Sequence, residues 1–193
     1  MLRSNLYRLL TDIRQLPVEG IPIIVGSQAV HAVTEAVPEI ARQSVECDLL
    51  YVGGKADVRD LVNREFGVLT AYQDETGHYA DAVGLATIVL PTGWEERLVP
   101  LEDGKGVLVA MCVEIHDVAV SKLIAGRQKD FEFIDSLLTL DLIDLDEFLT
   151  RLDLAAGKVE NDTIKYRIAG LLARIRSADH HFETVRRLRH LFG

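Results

Sequence analysis

The stretch "SVECDLLYVGG" (residues 44–54) decides the fold, because it combines a β-strand pattern with two acidic residues inside an apolar run. Side chains alternate between the two faces of a strand, so Cys47 and Leu49 point one way while Glu46 and Asp48 point the other. Ionised carboxylates are rarely buried without a cation or a basic partner. This acidic strand face therefore predicts a site for divalent metal, and a half-buried strand with a polar outer face is the alternative.

A second feature lies upstream, in "IIVGSQAV" (residues 23–30), which has the pattern of a strand, a Gly-Ser turn and a helix. The turn places Gly26 and Ser27 at a helix N-terminus, where backbone N–H groups and the helix dipole favour anions such as phosphate. The alternative is that Ser27 only caps the helix and Gly26 only makes the turn. Pro38 is expected to end this helix.

Composition places the chain among soluble globular proteins, with 48% hydrophobic and 26% charged residues in 193. The two cysteines, Cys47 and Cys112, do not form a CxxC pair, which argues against a zinc site or a disulfide framework. We find no signal-peptide pattern and no membrane-spanning run, so a cytoplasmic protein without membrane contact is expected. The net charge of −9 argues against broad binding of nucleic acid, although basic islands occur at 125–130 and 186–190.

The order of elements predicts an α/β (α+β) architecture, with a mixed sheet flanked by helices. Residues 1–140 are expected to form this domain, and residues 141–193 a C-terminal helical region packed on it. Residues 68–113 are expected to be mainly β, with Asp74 and Glu75 in a turn. The other predicted elements are helices over 5–16, 27–37, 117–139, 144–152 and 161–190, and strands over 21–26, 44–52 and 87–90. A Gly53-Gly54 turn followed by an amphipathic helix that ends at Gly67 is also predicted.

The order Gly26-Ser27 followed by Glu46-x-Asp48 resembles the nucleotidyltransferase superfamily that includes DNA polymerase β-like enzymes. A longer segment, "EIHDVAVSKLIAGRQKDFEFIDSLL" (114–138), is similar to a helix of bacterial nucleotidyltransferase-like proteins akin to type IV abortive-infection toxins. The segment "LPTGWEERLVPL" (90–101) resembles a subgroup of that family whose function is unknown. The resemblance covers about residues 20–140 and implies a nucleotidyltransferase-type fold.

The resemblance implies that Gly26 and Ser27 bind the phosphates of a nucleoside triphosphate, and that Glu46 and Asp48 bind Mg²⁺. The first acid is Glu here, where the family more often has Asp. The third carboxylate of such enzymes lies on a later strand, and Asp81 in "GHYADAVG" (77–84) is the candidate by position. The alternative for Asp81 is a polar residue on an exposed strand face.

The same resemblance assigns the binding of triphosphate or RNA to Lys122 and Lys129, and an orienting role to Asp130. On one continuous helix the two lysines, seven residues apart, would differ by ~20° in direction. Gly126 would then leave room for a ligand to approach the backbone, and Arg127 is expected to pair with Asp130. A solvated basic face on an amphipathic helix is the alternative.

Together these features predict a Mg²⁺-dependent nucleotidyltransferase that moves a nucleoside monophosphate from an NTP to a hydroxyl acceptor. The toxin-like resemblance implies RNA or tRNA as that acceptor. Two alternatives stay open. One is a catalytically degenerate binding or regulatory protein, and the other is a structural subunit of a toxin–antitoxin-like complex, with a protein partner or a second copy of the chain.

Overall fold

A computed structural model of the chain describes residues 1–52, 56–175 and 186. The predicted Gly53-Gly54 turn lies outside the described residues, and so does the predicted helix beyond residue 175, except for Arg186. The chain divides into two compact units. The first unit is Met1–Ile88 with Glu95–Glu114, and the second is Val89–Trp94 with the described part of Ile115–Gly193. The predicted domain boundary at residue 140 stays a prediction.

The first unit contains the predicted mixed sheet, with five strands in the order β3-β2-β1-β5-β4. The pairs β2–β3 and β1–β5 are parallel, whereas β1–β2 and β4–β5 are antiparallel. The strands are β1 (Ile23–Ile24), β2 (Glu46–Leu50), β3 (Tyr79–Ala82), β4 (Val99–Glu102) and β5 (Leu108–Cys112). This sheet confirms the predicted α/β class.

Helices flank the sheet within the first unit. They are α1 (Arg3–Ile13), α2 (Glu39–Gln43), α3 (Ala56–Phe66) and α4 (Ala71–Thr76), with 3₁₀ helices at Ser27–Ala32 and Leu85–Thr87. Another 3₁₀ helix, Trp94–Arg97, belongs to the first unit except for Trp94, which is assigned to the second. Helix α1 buries the apolar stripe that its periodicity predicts and contacts β5. Helix α3 contacts the edge strand β3, where the Asn63 side chain donates to the carbonyl of Ala82 and accepts from its N–H. Asn63 thereby supplies the backbone partner that an edge strand lacks.

The second unit is helical. It contains α5 (Ile115–Ala125), α6 (Gln128–Thr139), α7 (Leu145–Ala155) and α8 (Asn161–Ile175), with a 3₁₀ turn at Ala156–Lys158. Helix α5 is central, since it contacts each of the other three helices. Its low amphipathicity fits that position, because a helix covered on several sides is apolar around most of its surface. Among the described residues, no helix has both the length and the apolar character that crossing a membrane requires.

The prediction of one helix over 117–139 is wrong. Helix α5 ends at Ala125, Gly126 has a φ of +64°, and Arg127 is extended as the N-cap of α6. A residue with positive φ cannot continue a right-handed helix, and glycine adopts that conformation at little cost. Apolar periodicity runs through both helices, so the sequence pattern hid the break.

Two further predictions are wrong in detail. The helix expected from Ser27 to Pro38 is a 3₁₀ helix that ends at Ala32, and Pro38 instead serves as the N-cap of α2. Residues 68–113 are less β-rich than expected, since Asp74 and Glu75 lie in α4 and not in a turn, and no strand covers 87–90. Thr70 caps α4 by accepting a hydrogen bond from Gln73 N–H, a local signal that outweighs the β-rich composition.

Candidate active site

Three carboxylates lie on one face of the sheet. Glu46 and Asp48 alternate with the buried Cys47 along β2 and are half-buried. On the parallel neighbour β3, Asp81 is the register partner of Asp48. Register partners on neighbouring strands project to the same face, with their backbones ~4.8 Å apart. We call Glu46, Asp48 and Asp81 the acidic face. The role of Asp81 as the third carboxylate of the site stays a prediction.

Gly26 lies directly against the acidic face. The Val25 N–H donates to the Asp48 carbonyl at 3.1 Å, which continues the pairing of β1 with β2. A Cβ atom on Gly26 would lie 1.8 Å from Asp48 Oδ2, so a larger residue cannot occupy this position without displacing the carboxylate. The backbone of Gly26 is extended, at φ −103° and ψ −162°, which any residue can adopt. Gly26 is therefore required for space and not for its backbone freedom.

Ser27 is the first residue of the 3₁₀ helix, and Gly26 occupies the N-cap position. The neighbouring Gln28 and His31 are buried, and they anchor this helix to main-chain carbonyls of Ala41 and Met1 respectively, at 3.0 and 3.2 Å. A six-residue 3₁₀ helix supplies few aligned peptide dipoles. The role of Gly26 and Ser27 in phosphate binding therefore stays a prediction from the resemblance.

Tyr79 joins the acidic face, and the sequence analysis missed it. It is the register partner of Glu46, and its hydroxyl donates to Glu46 Oε2 at 2.9 Å. Burial, the hydrogen bond to Glu46 and the negative charges of Glu46, Asp81 and Asp48 together raise the pKa of the Tyr79 hydroxyl to about 12. No local pattern indicates this residue, because its place beside Glu46 depends on the register of β2 with β3.

The electrostatics of the acidic face are those of crowded like charges. Partial loss of hydration raises the pKa of the Asp81 carboxyl above its usual value, and the negative charge of Glu46 raises it further. The Asp81 side chain is nevertheless exposed, so water and ions reach it. A divalent cation would relieve this repulsion.

The chemistry of the acidic face fits Mg²⁺, which prefers carboxylate oxygens. Among the described residues, no three side chains of His, Cys, Asp or Glu come close enough together to hold a metal ion by themselves. Mg²⁺ commonly binds through one or two carboxylates together with substrate phosphates, so a preformed three-residue site is not required. Glu46 and Asp48 therefore fit a metal that the nucleotide helps to hold.

The predicted nucleotide-binding residues of the second unit lie around the junction of α5 and α6. Lys122 Nζ lies 3.4 Å from Asp130 Oδ1, and Asp130 is 1% exposed. The N–H and Nε of Arg127 donate to Asp130 Oδ2 at 3.1 and 2.9 Å, which confirms the predicted pair. Lys129 is exposed on α6. The roles of Lys122, Lys129 and Asp130 toward nucleotide stay predictions, and we call Lys122, Arg127 and Asp130 the charged corner.

Two geometric predictions about these residues are wrong. Lys122 and Lys129 lie on different helices, so the argument that they share a helix face does not apply. The space at Gly126 is also filled, because a Cβ atom there would lie 2.3 Å from Arg167 Cδ. Arg167 Nη1 donates to the Gly126 carbonyl at 3.2 Å. Gly126 therefore accommodates a helix break and an arginine from α8.

Comparison with known families identifies the family to which the chain belongs. The model of a family described as "Nucleotidyltransferase of unknown function (DUF6036)" matches residues 4–173. Neither the curated proteins nor the solved structures give a match. The matched range covers most of the chain, including every described residue of the acidic face and the charged corner. The chain therefore belongs to the nucleotidyltransferase family of unknown function DUF6036.

Proposed function

We propose that the protein is a Mg²⁺-dependent nucleotidyltransferase that transfers a nucleoside monophosphate from an NTP to a hydroxyl acceptor. The observation that carries the proposal is the alignment of Glu46, Asp48 and Asp81 on one sheet face beside Gly26. Carboxylates that share one sheet face on neighbouring strands suit metal ions that act in phosphoryl transfer. The family assignment supports the same class of reaction.

In this proposal Glu46 and Asp48 hold Mg²⁺, which when bound neutralises charge on the triphosphate. Gly26 and Ser27 contact the phosphates, with Gly26 keeping the space that the Asp48 carboxylate needs. We keep for Lys122 and Lys129 the binding of triphosphate or RNA that the resemblance implies, and for Asp130 the orienting role. Asp81 lies beside Asp48 and accepts the proton of the attacking hydroxyl.

The proposed step is an in-line displacement at the α-phosphorus. The acceptor oxygen forms a bond to that phosphorus and loses its proton to Asp81. The bond from the α-phosphorus to the oxygen of the β-phosphate breaks, and pyrophosphate leaves with the electron pair. Positioning and electrostatic stabilisation supply most of the rate enhancement in such reactions.

We further propose RNA, including tRNA, as the acceptor, on the basis of the resemblance to type IV abortive-infection toxins. The net charge of −9 requires that the acceptor bind at a local basic surface. A protein partner or a second copy of the chain would be part of such a toxin-like system.

A second candidate function is a binding or regulatory protein that retains the fold without catalysis. The absence of a three-residue metal group among the described residues favours it. Such a protein would bind nucleotide and Mg²⁺ without releasing pyrophosphate. A structural subunit of a toxin–antitoxin-like complex would bind neither.

Incubation of the purified chain with Mg²⁺, total RNA and each NTP labelled at either the α- or the γ-phosphate tests the proposal. We expect label to reach RNA only from the α-position, because the γ-phosphate leaves with pyrophosphate. Asp48→Asn and Glu46→Gln are each expected to lower the transfer rate at least ~100-fold, since each removes a charged group that acts in the transition state.

Glu19→Gln is the matched control, because it removes one exposed carboxylate that belongs to the same unit but to none of its strands. It should leave the transfer rate unchanged.

Calorimetry with Mg²⁺ and NTP separates the candidate functions. Binding without transfer would favour the regulatory protein, and the lack of both binding and transfer would overturn both nucleotide hypotheses.

A further inference from the structure

We propose that Tyr79 is a positioning residue whose hydroxyl fixes the Glu46 carboxylate for metal binding. This inference rests on the proposed function and deepens it. Tyr79 and Glu46 are register partners on the parallel strands β3 and β2, and the Tyr79 hydroxyl lies 2.9 Å from Glu46 Oε2. Both side chains are half-buried on the same sheet face as Asp48 and Asp81.

This hydrogen bond gives a reason for glutamate at position 46. Side chains stand roughly perpendicular to a sheet, and a tyrosine hydroxyl ends farther from the backbone than a carboxylate does. The additional methylene of glutamate raises its carboxylate by about one C–C bond, ~1.5 Å, relative to that of aspartate. The longer side chain at position 46 thus reaches the height at which the Tyr79 hydroxyl lies.

The hydrogen bond from Tyr79 restricts the orientation of the Glu46 carboxylate, which matters if this carboxylate ligates a metal. Glutamate has three rotatable side-chain bonds, and its freedom must be lost when it ligates a metal. A carboxylate accepts hydrogen bonds at about four lone-pair positions, so a hydrogen bond to Oε2 is compatible with metal ligation by the same group. Hydrogen-bonding partners of metal ligands typically contribute 10–100-fold to metal affinity. Tyr79 is placed to serve as such a partner.

The test compares Tyr79→Phe with Tyr72→Phe. Tyr72 provides a matched control in the same unit, because its hydroxyl donates to Asp12 Oδ2 at 3.1 Å in another tyrosine–carboxylate pair. Mn²⁺, a spectroscopic substitute for Mg²⁺, is titrated by EPR into the full chain with a non-hydrolysable NTP analogue present. We expect Tyr79→Phe to weaken Mn²⁺ affinity ~10-fold and Tyr72→Phe to leave it unchanged. Affinity in Tyr79→Phe equal to that in Tyr72→Phe would overturn the proposal.

A second measurement uses Glu46→Asp, whose shorter side chain should no longer reach the hydroxyl. In that background Tyr79→Phe should weaken Mn²⁺ binding no further, whereas a repeated ~10-fold loss would show that Tyr79 acts in another way. In metal-free protein, the urea midpoints of Tyr79→Phe, Glu46→Gln and the double variant should be non-additive. Additive midpoints would also overturn the proposal.

These outcomes separate the inference from the proposed function. If the wild-type chain binds no Mn²⁺ with nucleotide, the proposed function fails, and with it any role for Tyr79 in metal binding. If the wild-type chain binds Mn²⁺ and Tyr79→Phe binds it equally well, only the role of Tyr79 fails.

Discussion

The acidic face and the charged corner use carboxylates in opposite ways. In the charged corner, the buried Asp130 carboxylate is held by Lys122 and by two donors of Arg127. On the acidic face, Glu46 and Asp81 act on each other as like charges, and their surroundings raise the pKa of Asp81. The pairing of Asp130 with internal cations stabilises the charged corner, whereas crowded carboxylates that remain accessible suit a cation from solution.

A glycine supports each cluster, and again the physical reasons differ. Gly26 has ordinary extended backbone and is needed only because Asp48 fills the space where its Cβ would lie. Gly126 has a φ of +64° and also borders Arg167. One glycine is thus dictated by a neighbouring carboxylate, and the other chiefly by its own backbone. Substitutions at Asp130, Asp48, Gly26 and Gly126 test these differences.

The largest expected effect on stability comes from Asp130→Asn. Loss of this charge leaves Lys122, whose side chain is 12% exposed, without its buried counter-ion. Removing one partner of a buried pair costs about 3–5 kcal/mol, and the exposure of Arg127 reduces our expectation to about 2–3 kcal/mol. Urea unfolding monitored by circular dichroism measures the difference.

Asp48→Asn provides the matched comparison for Asp130→Asn, because it removes the same charge from the acidic face. We expect it to change the free energy of unfolding by less than about 1 kcal/mol while it lowers the transfer rate at least ~100-fold. Equal destabilisation by the two substitutions would contradict the expectation that Asp130 contributes more to the stability of the fold than Asp48 does.

The next largest effect is expected from Gly26→Ala. Its methyl group would overlap Asp48 Oδ2, so we expect a loss of about 1–3 kcal/mol, as in an overpacked core. Asp48→Ala should restore most of this loss in the double variant, because it removes the overlapping carboxylate. Measured stabilities that are additive would show that Asp48 is not the reason for the glycine.

Gly126→Ala should cost less, about 1–2 kcal/mol, from placing alanine in the left-handed region. Arg167→Ala removes the contacting side chain but leaves φ unchanged. The cost of Gly126→Ala should therefore persist in the Arg167→Ala background, in contrast to the rescue expected at Gly26. Full rescue by Arg167→Ala would mean that contact, and not backbone conformation, selects this glycine.

The acidic face shows which parts of the site can be predicted from the sequence and which cannot. Alternation along β2 sufficed to place Glu46 and Asp48 on one face, since strand periodicity is a local property. The register of β2 with β3, which brings Tyr79 beside Glu46, depends on pairing between segments far apart in sequence. A single chain offers no local signal for such pairing, so Asp81 was predicted by position alone and Tyr79 was missed.

The break between α5 and α6 at Gly126 differs from the strand register, because a local sequence signal for it exists but was misinterpreted. Apolar residues continue at helical spacing through residues 117–139, and this pattern outweighed the single glycine at 126. Gly126 followed by Arg127 and then Asp130 has the features of a C-terminal glycine and a new helix start. The side-chain pair of Arg127 and Asp130 was predicted correctly, although it caps a helix and does not lie within one.

The smallest expected effect concerns pH and Asp81, measured in metal-free protein. Its folded pKa is raised, so the folded state binds the proton more tightly than the unfolded state, and this contribution to stability is lost as pH rises through the folded pKa. Because Asp81 is exposed, we expect Asp81→Asn to add no more than about 0.5 kcal/mol at pH 7 and nothing below pH ~3.8.

Asp103 supplies a control of opposite sign on the same unit. Backbone N–H groups of Val107 and Lys105 donate to its carboxylate and lower its pKa, so its contribution is present above the unfolded pKa and is lost as pH falls through the folded pKa. Asp103→Asn should therefore lower stability at pH 7, where Asp81→Asn raises it. Urea midpoints at pH 3.5, 5 and 7 measure both variants. The same sign for the two variants would contradict the opposite directions in which the pKa values of Asp81 and Asp103 are shifted.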